Sequence, residues 1–225
     1  MSYVDLKHRL ADLTLEAIAD PEAAADWAAI LARVAQADEA ISGDDEGVER
    51  LIHRGVLTRE GARVTLRQKF RPHRSYVQRH AGRLRSFLIK YRAAQPPAHI
   101  GRGPLWAGVL LFNEGLYFEC HEWLEAAWKR TAGPEKNFLH GIVQAAAAFY
   151  HYEKGNMHGA RTLLGKAMHR LDAYPSPYLG VDLDDLRVAL SRWQERFAME
   201  SGPDAAPPKP IIRFTIDWTE LGIRY

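Results

Sequence analysis

The sequence is short of the features that mark secreted, membrane-spanning or low-complexity chains. It has one cysteine, Cys120, which has no partner for an internal disulfide. A disulfide scaffold is therefore excluded, and a reducing cytoplasm is the expected setting. No stretch approaches the roughly 18 uninterrupted apolar residues that a membrane span requires. The opening residues MSYVDLKHRLADL lack the apolar core and small-residue cleavage site of a secretory leader. Gly (17) and Pro (12) stay near background in 225 residues, which excludes a collagen-like or low-complexity chain. There is no G-x-G-x-x-G, no Walker A loop and no C-x-x-C, so dinucleotide, nucleotide-phosphate and thiol-redox chemistries lack their usual frameworks. What remains is a globular composition, 47% hydrophobic and 26% charged, of a length that suits one large domain or two small ones.

The net charge of +2 conceals a strong asymmetry. Residues 1–49 hold 12 acids and 3 bases, residues 50–92 hold 13 bases and one acid (Glu60), and the remainder is nearly balanced. Charge this dense must be compensated. The acidic first segment can pack beside the basic second one. Alternatively, the basic 63–92 stretch can meet a nucleic acid or an acidic partner.

Periodicity predicts a mainly α protein. Leu6, Leu10, Leu13 and Ala17 repeat at helical spacing over residues 3–18. Asp20-Pro21 caps and opens a second helix to about Ala37, and Asp44–His53 reads as a short third. Alternation around Glu60-Gly61 suggests a small β-hairpin. Three helices and a hairpin follow a winged-helix outline, yet the helix in the recognition position opens Asp44-Asp45-Glu46, whose charge would repel a DNA backbone. A basic amphipathic helix follows at 74–93. Gln95-Pro96-Pro97 and Gly101-Arg102-Gly103 then mark a boundary. The predicted organisation is an N-terminal helical module over 1–95, a bundle of about five helices over 101–200, and a Pro-rich tail over 201–225 that docks as an extended strap. Within the bundle, the segments beginning at Asn113 and Glu153 align at an offset of 40, matching Gly115 with Gly155. That is the logic of a repeated helix pair.

The third bundle helix, NFLHGIVQAAAAFYHYEK, is apolar nearly all round and is expected to be central. Its polar exceptions His140, Gln144 and His151 lie within ~40° on the helical wheel. Buried polar groups without partners cost ~1–3 kcal/mol each, so a matching polar line is expected opposite. The preceding helix offers His121, Glu122 and Glu125. Antiparallel pairing across the Gly133-Pro134 turn sets His121 and Glu122 level with Gln144, and Glu125 level with His140 and Gly141, where the absent side chain would let these two helices approach. His140 and His151 are ~16 Å apart along the axis, too far to share one ion. His151 is therefore assigned to a second polar spot with Asn113 or Glu114.

His121-Glu122-Trp123-Leu124-Glu125 reads H-E-x-x-E, a zincin-like spacing with a carboxylate at the second ligand position, which would favour Mn, Fe or Zn. On this reading His121, Glu125 and His140 are candidate metal ligands, Glu122 a candidate general base, and Asn113, Glu114, Gln144 and His151 candidate ligand-binding residues. The bland alternative is a satisfied hydrogen-bond network that fixes helix register. Cys120 and His121 diverge by ~100° on a helix, so they form no thiol–imidazole dyad.

The segments LFNEGLYFECHEWLEAAWKR, FLHGIVQAAAAFYHYEKGN and GARTLLGKAMHRL resemble domain-of-unknown-function family 309, from about Leu105 to Leu171. The motifs F-N-x-G, H-E-x-x-E-x-x-W, G-x-x-Q and G-N-x-x-G-A are all present. The resemblance implies a compact helical bundle and singles out Asn113, Glu114, His121, Glu122, Glu125, Trp128, Gln144, Gly155 and Asn156. It implies no reaction. Cys120 stands where Ala is expected, which argues against a required thiol. The functional expectation is a bundle that binds a metal or small polar ligand, with a metal-dependent hydrolase as its enzymatic version. The alternative is a non-catalytic interaction module.

Overall fold

The computed structural model describes residues 2–36, 41–42, 46–96, 103–199 and 206–215. Asp44 and Asp45, residues 97–102 of the expected boundary, and residues 201–205 and 216–225 of the expected tail lie outside the described residues. The chain divides into two compact units, Met1–Ala94 and Gln95–Tyr225, and is mainly α.

Unit 1 comprises α1 (Ser2–Ala19), α2 (Pro21–Gln36), β1 (Ile41–Ser42), α3 (Glu46–His53), β2 (Leu57–Glu60), β3 (Arg63–Leu66), a 3-10 helix (Gln68–His73) and α4 (Arg74–Ala93). Leu6, Leu10 and Leu13 of α1 and Leu31 of α2 are fully buried, as are Leu84 and Phe87 of α4. The hairpin pairs Thr58 with Thr65 and turns at Gly61, whose φ of 62° suits glycine. Two features were not expected. A short β1 joins β3 to make a three-stranded sheet of order β1-β3-β2, and the 3-10 turn buries Phe70.

The charge asymmetry is met in part inside this unit. Arg50 and Arg54 reach Glu16, Lys69 reaches Asp5 at 2.7 Å, Arg59 pairs with Glu49, Arg71 with Glu60 and Arg92 with Glu22. The hydrogen bond from Lys69 leads the causes that hold the Asp5 carboxyl below its ordinary range.

Unit 2 is built from α5 (Pro104–Asn113), α6 (Tyr117–Arg130), α7 (Pro134–Glu153), α8 (Met157–Leu171) and α9 (Leu183–Ala198). The bundle of about five helices is thus observed. α7 packs against both α6 and α8, as its nearly all-round apolar character predicts. Phe149 of α7 is the aromatic hub, meeting Phe112 of α5, Tyr117 of α6 and Trp193 of α9 at 5.2–5.8 Å.

The internal repeat is a repeated helix ending. Gly115 and Gly155 both adopt left-handed φ, at 76° and 71°. At each, the glycine N–H and the next N–H return to the last turn of the preceding helix: Gly115 to Phe112 and Leu116 to Leu111, Gly155 to Tyr152 and Asn156 to His151. This is a Schellman closure, and it sends each helix pair antiparallel. α8 closes at Leu171, and the Tyr174 hydroxyl donates to the Pro134 carbonyl.

Residues 206–215 run extended along unit 2. The Trp193 indole donates to the Pro208 carbonyl at 2.9 Å, Asp182 N–H donates to the Arg213 carbonyl, and Val181 bridges Phe214. Ile212 is buried.

Candidate functional site

Gln144 is the buried polar residue of α7, only 8% exposed. Its Oε1 accepts from Arg170 Nε at 3.0 Å, and Arg170 Nη1 also donates to Asn137 Oδ1. The partner of Gln144 is therefore α8, not the His121–Glu122 line of α6 expected from the pairing across Gly133. Gly141 corrects in the same direction. A Cβ there would lie 2.8 Å from Leu171 Cδ2, so the missing side chain admits α8 rather than α6. The close approach of α6 instead uses Gly108 of α5, where a Cβ would meet Leu124 at 2.5 Å.

Glu125, expected level with His140, acts on it electrostatically. Burial lowers the His140 pKa, the positive charge of Arg170 lowers it further, and the negative charge of Glu125 opposes both. The imidazole lies against the Trp128 ring with centroids 4.4 Å apart and planes at 32°. Lys136 sits 5.7 Å above the same indole. Glu125 also pairs with Lys129, one turn on, at 3.1 Å.

His121 and Glu122, neighbours in sequence, meet through Nδ1 and Oε1 at 3.2 Å. A carboxylate only accepts, so Nδ1 is the donor in this contact and Nε2 is the ring nitrogen left for another partner. Both side chains are part-exposed, at 29% and 39%. Among the described residues no three His, Cys, Asp or Glu side chains come together in a way that could hold a metal ion. His121, Glu125 and His140 thus do not form the triad that a protein-held zinc would need.

The second polar spot is not assembled as expected. His151 Nδ1 accepts from Asn156 Nδ2 at 2.8 Å, while Asn156 Oδ1 caps α8 by accepting from Gly159 N–H. Asn113 is spent on the strap: its amide donates to the Ile212 carbonyl and accepts from the Ile212 N–H, both at 2.9 Å. Glu114 lies in the turn after α5, its N–H donating to the Leu110 carbonyl. These residues serve helix ends and chain docking. Their side chains are half-buried, except that of Asn156, which is exposed.

Three residues escaped the sequence reading. Arg170 and Asn137 carry the polar seam. The antiparallel pairing already applied across Gly133 would, if applied across Gly155, have set Gln144 level with the 166–170 turn. Glu119 is a carboxylate only 3% exposed on α6, and its charge adds to burial in raising the Tyr150 and Cys120 pKa values. Cys120 itself is buried, with its thiol directed at the Gly108 carbonyl and its pKa pushed far up by burial. It is a packing residue.

Helices α5 to α8 and the seam lie where the sequence resembles the family. Residues 105–163 match the model of the family described as Domain of unknown function (DUF309). Among individual proteins, the chain is 40% identical over 73 residues to Uncharacterized protein YpuF of Bacillus subtilis (strain 168), covering 32% of this chain and 42% of that protein. It is 26% identical over 80 residues to an Uncharacterized protein of Aquifex aeolicus (strain VF5), covering 35% of this chain and 24% of that one. The chain thus spans less than half the length of each of these relatives. The matched family segment holds Asn113, Glu114, His121, Glu122, Glu125, His140, Gln144 and His151, and ends before Arg170. Among the described residues no helix is long and apolar enough to cross a membrane.

Proposed function

We propose that unit 2 binds a small polar ligand bearing an anionic group on the face shared by α6, α7 and α8. One observation carries the reading: Arg170 is oriented by Gln144 and Asn137 and acts electrostatically on the His140 imidazole, which lies tilted against Trp128. A guanidinium held by two side-chain acceptors is preorganised, and its remaining N–H groups suit a carboxylate or phosphate. Burial and Arg170 both disfavour the charged form of His140, so its imidazole is suited to contribute a ring hydrogen bond beside the guanidinium rather than a second charge. His121 is the group suited to accept a proton, through Nε2, and Glu122 orients it rather than acting as the base itself. The hydrolytic version of the reading needs that pair.

The metal version, with Mn, Fe or Zn, would have to draw on His121 and Glu125 with non-protein ligands, because no protein triad forms among the described residues. A reducing, cytoplasmic setting accords with the single buried thiol.

Thermal shift of the full chain with a panel of small carboxylates, phosphates and divalent metals tests the reading. A stabilising carboxylate or phosphate whose effect disappears in Arg170→Gln supports it. An effect unchanged by that substitution, or stabilisation by metals alone, refutes it.

A further inference from the structure

Between α9 and the strap lies a groove of about 270 Å³, close to the lower end of the ~300–1,000 Å³ typical of small-molecule sites. Asp185, Val188, Ala189 and Arg192 line one wall from successive turns of α9. These positions share one helical face by their three- and four-residue spacing. The facing wall is the Pro207–Arg213 segment.

The groove exists for a chemical reason. Pro207, Pro208 and Pro210 have no N–H, so at three positions this stretch cannot donate to α9. On either side of Ile211 the strap is instead pinned by Pro208 on Trp193 and by Ile212 on Asn113, with further backbone bonds from Arg213 onward. Between the pins Ile211 remains 37% exposed, and across from it Val188 remains 53% exposed. Apolar surface is therefore left open on both walls.

The charge on the walls is unequal. Arg213 pairs with Asp185 at 2.7 Å, which neutralises both. Lys209 is engaged elsewhere, 5.5 Å from the Tyr117 ring, so Arg192 is the positive charge that the lining leaves facing the groove. Arg192 makes no hydrogen bond or ion pair among the described residues. An arginine with no partner among the described residues, beside open apolar walls, matches a ligand with a negative head and a short apolar body.

We infer that the α9–strap groove is a second binding site, for a small amphipathic anion whose carboxylate or phosphate head meets Arg192 and whose apolar part lies between Val188 and Ile211. It is separate from the α6–α8 seam and does not depend on it.

The test uses the full-length chain with octanoate (head and chain), inorganic phosphate (head only) and 1-octanol (chain only). The readouts are calorimetric titration and backbone amide shifts. Octanoate is expected to bind with ~1:1 stoichiometry and to move the amides of Ala189, Arg192 and Ile211. Phosphate and octanol are each expected to bind at least about tenfold more weakly, since a charge contact and apolar burial are both needed. Arg192→Gln should weaken octanoate by about tenfold while leaving the melting temperature unchanged, because that side chain is not used in folding. Arg170→Gln should leave octanoate binding intact. The inference is overturned if octanol binds as well as octanoate, if Arg192→Gln changes nothing, or if octanoate binds in many copies. It also falls if Arg170→Gln abolishes the binding, which would assign octanoate to the seam instead.

Discussion

Gln144 Oε1 accepts a 3.0 Å hydrogen bond from Nε of Arg170, joining the most buried polar side chain of α7 to the last turn of α8. The pair explains why a glutamine is tolerated in an otherwise apolar helix. It also explains why Arg170 points where it does.

Replacing Gln144 with Leu should remove that acceptor and leave a half-buried guanidinium short of one partner. The expected cost is ~1–3 kcal/mol, read as a lower urea midpoint with an unchanged slope. Gln144→Glu should be tolerated far better, since a carboxylate keeps the acceptor and adds an opposite charge. Equal losses in both variants would mean that packing, not the hydrogen bond, sets the requirement.

Two glycines in helix interiors should respond in opposite senses to alanine. A Cβ at Gly108 would lie 2.5 Å from Leu124 Cγ, so Gly108→Ala should destabilise by ~1–3 kcal/mol through overpacking. Gly82 on α4 has nothing within 4 Å of the same position, so Gly82→Ala should stabilise by ~0.5–1 kcal/mol through helix propensity. Thermal or chemical denaturation distinguishes them by sign.

His140 should titrate below its ordinary value of 6.5, because burial and Arg170 outweigh Glu125. The unfolded chain then takes up this proton at a higher pH than the folded one. The stability linked to His140 is therefore intact above about 6.5 and is lost as pH falls from there toward the lowered folded value. Following the ring protons by NMR should show the midpoint rise in Arg170→Gln and fall further in Glu125→Gln. An unshifted midpoint in both would remove the electrostatic link between these three side chains.

Asn113→Ala should loosen the strap without unfolding the bundle. Two hydrogen bonds to the Ile212 backbone disappear together, each worth ~0.5–1.5 kcal/mol. Limited proteolysis should then cut within 206–215 faster than in the parent chain, while helical circular dichroism is retained. Unchanged cleavage would show that burial of Ile212 and the Trp193–Pro208 contact suffice.

Unit 1 should leave a heparin column at low salt. Arg50, Arg54, Arg59, Lys69, Arg71 and Arg92 already have carboxylate partners within the unit. Retention of the full chain into high salt, lost on joint replacement of Arg79 and Arg85, would favour the nucleic-acid reading of the basic stretch.

The helices were legible because their signals are local. Leucine spacing in α1, Asp20-Pro21 at the head of α2, and the glycine turns at 115, 133 and 155 all act within a few residues. Rotation about the helix axis also made α7 recognisable as the central helix. Two local signals were weaker: a two-residue β1 is too short to show periodicity, and the Gln68–His73 turn carries an internal proline.

The site was read less well, and one assumption accounts for much of the error. α7 has polar residues and two neighbouring helices, and the sequence alone ranks both as partners. Pairing with α6 sets Glu125 level with His140, on which it acts electrostatically. Gln144 and Gly141 turn to α8 instead, and Asn113 is drawn to a segment 99 residues away.

The amino-acid order by itself determined which stretches coil, where they stop and which faces seek the interior, since propensity, capping and hydrophobic period act over single turns. Which polar side chain meets which was decided only by tertiary packing. A hydrogen bond demands placement to a few tenths of an ångström, and that precision comes from how leucines and glycines of several helices fit together.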